Sequence, residues 1–130
     1  MDKKSNIKSF KELIVWQKSM DLVLVIYKIT NLFPQNEIYG ISNQMRRAAV
    51  AVPSNIAEGF SRQSTKEYKQ FLNIAYASIC ELETQIEISY ELSYLDKINF
   101  EKIIELIQEV GKMLNKLIKV LNNKIFITNH

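Results

Sequence analysis

Apolar residues recur along this chain at steps of three and four, the period of helices that each bury one side. Leu13, Trp16, Met20, Val23 and Tyr27 form one stripe, and Leu22, Ile26, Ile29 and Phe33 form a second beside it. They predict a first helix that starts near Phe10–Leu13 and ends near Leu32, with an apolar face wide enough for contacts on more than one side. Pro34 stops it, because the residue before a proline is pushed out of the helical region. A second helix is expected to start between Asn36 and Ser42 and to bury Ile41, Met45, Ala48, Val52 and Ile56. Pro53 falls inside this pattern. It cannot donate to the carbonyl of Ala49 and its ring crowds that group, at about 3 kcal/mol in a straight helix. A kink at Val52–Pro53 within one continuing element is therefore expected, with Gly59 as a left-handed C-terminal cap.

The third helix has a clear start, since Ser64 followed by Glu67 spells a capping box. Tyr68, Phe71, Leu72, Ala75, Ile79, Leu82, Ile86 and Ser89 then keep the helical spacing to an end near Tyr94–Leu95. Asp96 or Asn99 can cap the fourth helix. Its seam is Ile103, Ile107, Val110, Leu114, Leu117 and Leu121, with Ile104, Gly111, Ile118 and Ile125 alongside. Gly111 costs about 1 kcal/mol against alanine inside a helix, which predicts a close approach by a neighbouring helix. Short connections near Pro34–Asn36, Ser61–Gln63 and Asp96–Lys97 keep successive helices adjacent. The expected fold is all-α, an antiparallel up-down four-helix bundle with its second helix kinked at Pro53. One domain is expected over residues 10–126, with a flexible tail at 1–9 and a frayed end at 127–130.

Composition narrows the chemistry. The 130 residues are 47% hydrophobic and 24% charged, as in a folded domain. Cys80 is the only cysteine, which removes an internal disulfide and a multi-cysteine zinc site. It is expected to be an inert, buried thiol. The only histidine, His130, is the last residue, so a Ser–His or Cys–His pair has no anchored base. Ser54 and Ser61 lack a base partner, and no glycine-rich phosphate loop is present. Glu81, Glu83 and Glu87 raise the idea of a carboxylate metal site, but a bundle di-iron site needs Glu-x-x-His motifs and the bundle has no histidine. No enzyme, cofactor or metal is expected. No apolar run approaches the roughly 20 residues that span a bilayer, and Met1–Phe10 does not read as a signal peptide. A cytoplasmic location away from membrane is expected.

Net charge is +3 and the sequence pI about 8.9. Residues 1–62 and 97–130 are net basic and 63–96 net acidic. That distribution suits packing between copies of the chain, or a basic face for a polyanion; the competing reading is a mixed, solvated surface.

The most distinctive segment is QMRRAAVAVPSNIAEGFSR, from Gln44 to Arg62. With FKELIVWQKSMDLV (Phe10 to Val23) and ELETQIEI (Glu81 to Ile88) it resembles the bacterial four-helix bundle proteins of intervening sequences in large-subunit ribosomal RNA genes. The accessory variability determinant of diversity-generating retroelements is similar in fold. The resemblance covers roughly residues 10–121. It implies a four-helix bundle that assembles into a homopentamer, and in the retroelement relatives a basic surface associated with nucleic acid and the reverse transcriptase.

Arg46 and Arg47 are the first candidates for phosphate contact, because a guanidinium pairs with phosphate at two points. The alternative is an ion pair with Glu58, Glu81 or Glu83. Arg62, Lys66 and Lys69 could extend a basic patch, or could simply solvate a helix end. Pro53, Ser54, Asn55, Glu58 and Gly59 read as architecture around the kink, or as a binding notch, with Glu81 and Glu83 as further motif positions. Trp16, Tyr27, Tyr68, Phe71, Tyr76, Tyr90 and Tyr94 read as core and subunit packing. The expected function is a non-enzymatic homo-oligomeric scaffold, pentameric by resemblance, binding RNA or DNA through a basic surface. The alternative is an oligomeric protein–protein interaction adaptor with no nucleic-acid role. RNA or DNA, and a reverse transcriptase or another protein, are the candidate partners beside further copies of the chain.

Overall fold

The computed structural model describes residues 6–128, with side chains described through Lys124. Expectations for residues 1–5, for the Ile125 side chain and for His130 lie outside the described residues. Four helices follow one another: α1 (Ile14–Thr30), α2 (Ile41–Phe60), α3 (Thr65–Glu91) and α4 (Lys97–Thr128). Single turns of 3-10 helix at Phe10–Glu12 and Gln35–Glu37 precede α1 and α2. Helix α4 continues two residues beyond the expected domain limit at 126.

The first 3-10 turn has a complete capping box. Ser9 Oγ accepts from Lys11 N, and Glu12 Oε2 accepts from Ser9 N at 2.9 Å. At α3 the box is half built. Ser64 Oγ accepts from Glu67 N at 3.1 Å and donates to Glu67 Oε2 at 3.2 Å. Asp96 caps α4 by accepting from Asn99 N at 2.8 Å.

Each helix packs on its sequence neighbours, α2 most closely on α3, and α1 closes the ring against α4. The start of α1, the end of α2, the start of α3 and the second half of α4 meet at one pole, around Leu13, Phe60, Tyr68 and Leu117. At the other pole Phe33 lies 5.3 Å from Tyr94 and Tyr90 stacks 4.2 Å from Phe100. Alternating helix directions would bring these ends together in this way.

The core is mostly aliphatic, with Tyr68 and Phe33 also buried in it. Leu22, Ile26, Met45, Val52, Ile56, Leu72, Leu82, Ile86, Ile107, Val110 and Leu114 are fully buried, each contributing about 1.5–3 kcal/mol by leaving water. In α1 the stripe through Leu22, Ile26 and Ile29 faces this core. The stripe through Trp16, Met20 and Val23 is only half-buried, and Tyr27 is exposed. Small polar residues enter the core by turning their hydroxyls onto their own helix. Ser19 donates to Trp16 O, Thr30 to Ile26 O and Ser89 to Gln85 O.

Two expectations about helix ends are corrected. Gly59 is not a left-handed cap: it is a buried helical residue of α2, and no glycine among the described residues has positive φ. A Cβ there would stand 2.8 Å from Phe71 Cβ and 3.1 Å from the Tyr68 carbonyl, so Gly59 is what lets α3 come this close. At Gly111 the same atom would meet Ile79 Cγ2 at 3.5 Å, an ordinary contact. Helix α3 ends at Glu91, short of Tyr94–Leu95. Ser93 adopts φ 64°, and the Tyr94 and Ser93 amides donate back to the Ser89 and Tyr90 carbonyls. This is a Schellman cap with serine where glycine is usual.

Candidate nucleic-acid interface

The sequence offers Arg46 and Arg47 as equals, and the fold separates them. Successive helical residues point about 100° apart, so only one of the two can face α1. Arg46 is that one, half-buried across the end of α1. Its Nε donates to Thr30 Oγ1 and its Nη2 to Asn31 Oδ1, both at 2.8 Å, and the guanidinium sits 5.0 Å from the Tyr27 ring centroid. Its partners are neutral groups at a helix C-terminus, where positive charge is favoured, and not the expected carboxylates. Arg47 is exposed, and among the described residues it makes no ion pair or hydrogen bond.

Arg47 borders a hollow of about 400 Å³ between α2 and α3, shared with Tyr39, Asn43, Gln44, Ala48, Ala51, Ser78 and Glu81. Tyr39, in the turn before α2, is 91% exposed, the most exposed large apolar side chain described. Glu81 belongs to this hollow, whereas Glu83 belongs to another between α3 and α4 with Cys80, Gly111 and Lys112. The two carboxylates therefore face different neighbours. Cys80 is exposed, against the expectation of burial, because it lies on the outer side of α3 between buried Ile79 and Leu82.

Arg62 does not extend a free patch with Arg47. Its Nη2 pairs with Glu58 Oε2 at 3.2 Å and its guanidinium lies 4.7 Å from the Phe71 ring. Lys66 and Lys69, at the start of α3, make no ion pair among the described residues. They stand at the opposite end of the bundle from Arg47, about 20 Å away at 1.5 Å per residue. The expected site residues thus form two groups and not one surface. Around Pro53, which is buried within α2, Ser54 is exposed and Asn55 Nδ2 donates to Ala51 O at 2.7 Å.

A further basic stretch emerges from the fold. Lys112, at the middle of α4, and Lys116 and Lys119 beyond it are exposed, and no acidic residue follows Glu109 in the sequence. None of the three forms an ion pair among the described residues. Lys116 and Lys119 share their pole with Lys66 and Lys69, Lys112 lies nearer mid-bundle beside Cys80 and Glu83, and the other pole gathers Glu87, Glu91, Asp96 and Glu101 with Lys97 and Lys102. The signal was present in the sequence, but averaging over residues 97–130 merged it with Glu101, Glu105 and Glu109. Beside the lysines, Leu13, Ile14, Leu117, Val120 and Leu121 line an apolar groove of about 380 Å³ between α1 and α4, rimmed by Lys116 and Lys124.

Two phenols are perturbed. Burial pushes the Tyr68 hydroxyl up to about 12. The hydrogen bond from Tyr94 to Glu37, 2.7 Å long, raises Tyr94 as well, with desolvation and the carboxylate charge acting in the same direction. Both positions stabilise packing and neither belongs to the basic surfaces. Among the described residues no helix is long and apolar enough to cross a membrane.

Comparison with known proteins bears on both the fold and the motif. A family described as 23S rRNA-intervening sequence protein matches residues 11–116. A solved structure from Bacteroides thetaiotaomicron, described as a protein of unknown function from the S23 ribosomal protein family, is 28% identical. It superposes with a TM-score of 0.74, over 82% of this chain and 99% of that one. No curated protein matches.

Proposed function

The chain belongs to the 23S rRNA-intervening sequence protein family, and from that premise we propose that it is a non-enzymatic, cytoplasmic, homo-oligomeric scaffold that binds RNA through a basic surface. The observation that carries this reading is the lysine pole. Lys112, Lys116 and Lys119 stand on one side of α4 with no acid after Glu109, Lys116 and Lys119 toward the pole of Lys66 and Lys69 and Lys112 nearer mid-bundle. Unpaired lysines at such a pole neutralise phosphates and release counterions, whatever the base sequence. Assembly is supported by Leu24, 65% exposed on the outer side of α1 in the single chain. Covering that face with further copies removes it from water, and a pentamer follows the family resemblance.

Reversing Lys112, Lys116 and Lys119 together to glutamate tests the surface. All three are exposed, so the fold should persist. Affinity for a labelled structured RNA, read by fluorescence anisotropy, is expected to fall roughly ten-fold or more. Unchanged affinity would remove α4 from the interface.

The apolar groove between α1 and α4 favours a second reading, an adaptor for another protein, because phosphate contact has no use for such a groove. A failure of the unmodified protein to bind RNA at low salt, with one dominant protein recovered by pull-down after nuclease treatment, would favour the adaptor.

A further inference from the structure

The hollow between α2 and α3 has a chemistry different from that of the lysine pole. Tyr39 offers a ring that is 91% exposed, with no aromatic neighbour among the described ring pairs. Arg47 stands in the same hollow without a partner among the described residues. Asn43 and Gln44 add amides and Glu81 a carboxylate. A volume of about 400 Å³ lies in the range that holds a small ligand. Glu81 makes the hollow unsuitable for a phosphate on its own. A nucleobase fits the set better: its face stacks on a tyrosine, its exocyclic amino group donates to a carboxylate or amide oxygen, and its own phosphate reaches an arginine.

We infer that this hollow is a subsite for one unstacked nucleotide of a single-stranded RNA, with the base on Tyr39, its edge toward Asn43, Gln44 and Glu81, and the adjoining phosphate on Arg47. The inference rests on the RNA-binding reading and sharpens it. The lysine pole, about 20 Å away, holds the backbone of whatever RNA is present. The hollow selects strands whose bases are free, because a base within a duplex presents no open face to a side chain.

The experiment compares one sequence as a single strand and as a blunt RNA duplex, by anisotropy, for the unmodified protein and the variants Tyr39→Ala, Tyr39→Phe and Arg47→Ala. A 2-aminopurine in the strand reports stacking directly. The unmodified protein is expected to prefer the single strand. Tyr39→Ala should weaken single-strand binding roughly ten-fold and leave the duplex unchanged, the size expected for one lost stacking contact. Tyr39→Phe should retain both the affinity and the 2-aminopurine quenching. Equal affinity of Tyr39→Ala and unmodified protein for the single strand, or a preference for duplex, would overturn the subsite while leaving RNA binding intact. An absence of binding to either RNA would overturn both.

Discussion

The guanidinium of Arg46 commits two of its N–H groups to Thr30 and Asn31 and lies on Tyr27, so its first task is to tie α2 to the end of α1. Arg46→Ala is expected to lower stability by about 1–2 kcal/mol, from two lost hydrogen bonds, whereas Arg47→Ala should fall within about 0.5 kcal/mol of the unmodified protein. Urea unfolding of both variants checks this, and equal losses would refute the division of roles. Tyr68 gives a second expectation at this scale. Its pKa rises from 10.0 in the unfolded chain to about 12 in the fold. Between those values the unfolded chain has released a proton that the folded chain still holds, so stability falls as pH rises. Thermal melts should show a decline above pH 10 that Tyr68→Phe reduces. Exposed Cys80 should react with a thiol reagent in the folded protein, without denaturant.

Helix contacts decide what the two helical glycines mean. Gly59→Ala drives a methyl into Phe71 and the Tyr68 carbonyl, so a loss of about 1–3 kcal/mol is expected from overpacking. Gly111→Ala places its methyl at contact distance from Ile79 and removes a helix-weakening residue, so a gain of up to about 1 kcal/mol is expected. Ser93→Gly should add about 1 kcal/mol by relieving the left-handed conformation. Melting temperatures of the three variants check the signs. The same positions show what was legible in the sequence. Four helices, the Ser64 start and the α4 seam follow from local spacing and caps, which are properties of neighbouring residues. The role of Gly59 was not legible, because glycine marks a cap and a close approach with the same letter and only the partner helix tells them apart. The end of α3 is not legible because Leu92 and Tyr94 continue the apolar pattern past a serine that carries no stop signal. Among candidate site residues, Arg46 and Arg47 could not be ranked without knowing which side of α2 meets α1. Tyr39 gives no signal in the sequence because an isolated aromatic in a loop has no periodicity to read.

Across the whole molecule the two poles differ in charge, with Lys97 and Lys102 among the acids at one and Glu58 and Glu67 among the cations at the other. Folding brings the acid-free second half of α4 beside the start of α3, and the acidic second half of α3 beside the start of α4. An oligomer that covers α1 around Leu24 should leave Lys119 open, whereas one that also covers Ile14 would reach Lys116, which rims the same groove. Light scattering should give a mass several times the 15.2 kDa chain, and Leu24→Glu on the outer side of α1 should shift it toward the monomer. The central claim is RNA binding by phosphate contact, and the direct measurement is the affinity for a structured RNA as a function of salt. A logarithmic plot of affinity against salt should be a descending line, with a slope of about −0.7 to −0.9 per phosphate contacted that becomes shallower when Lys112, Lys116 and Lys119 are reversed. A folded oligomer that shows no affinity at low salt, or an affinity indifferent to salt, would contradict it.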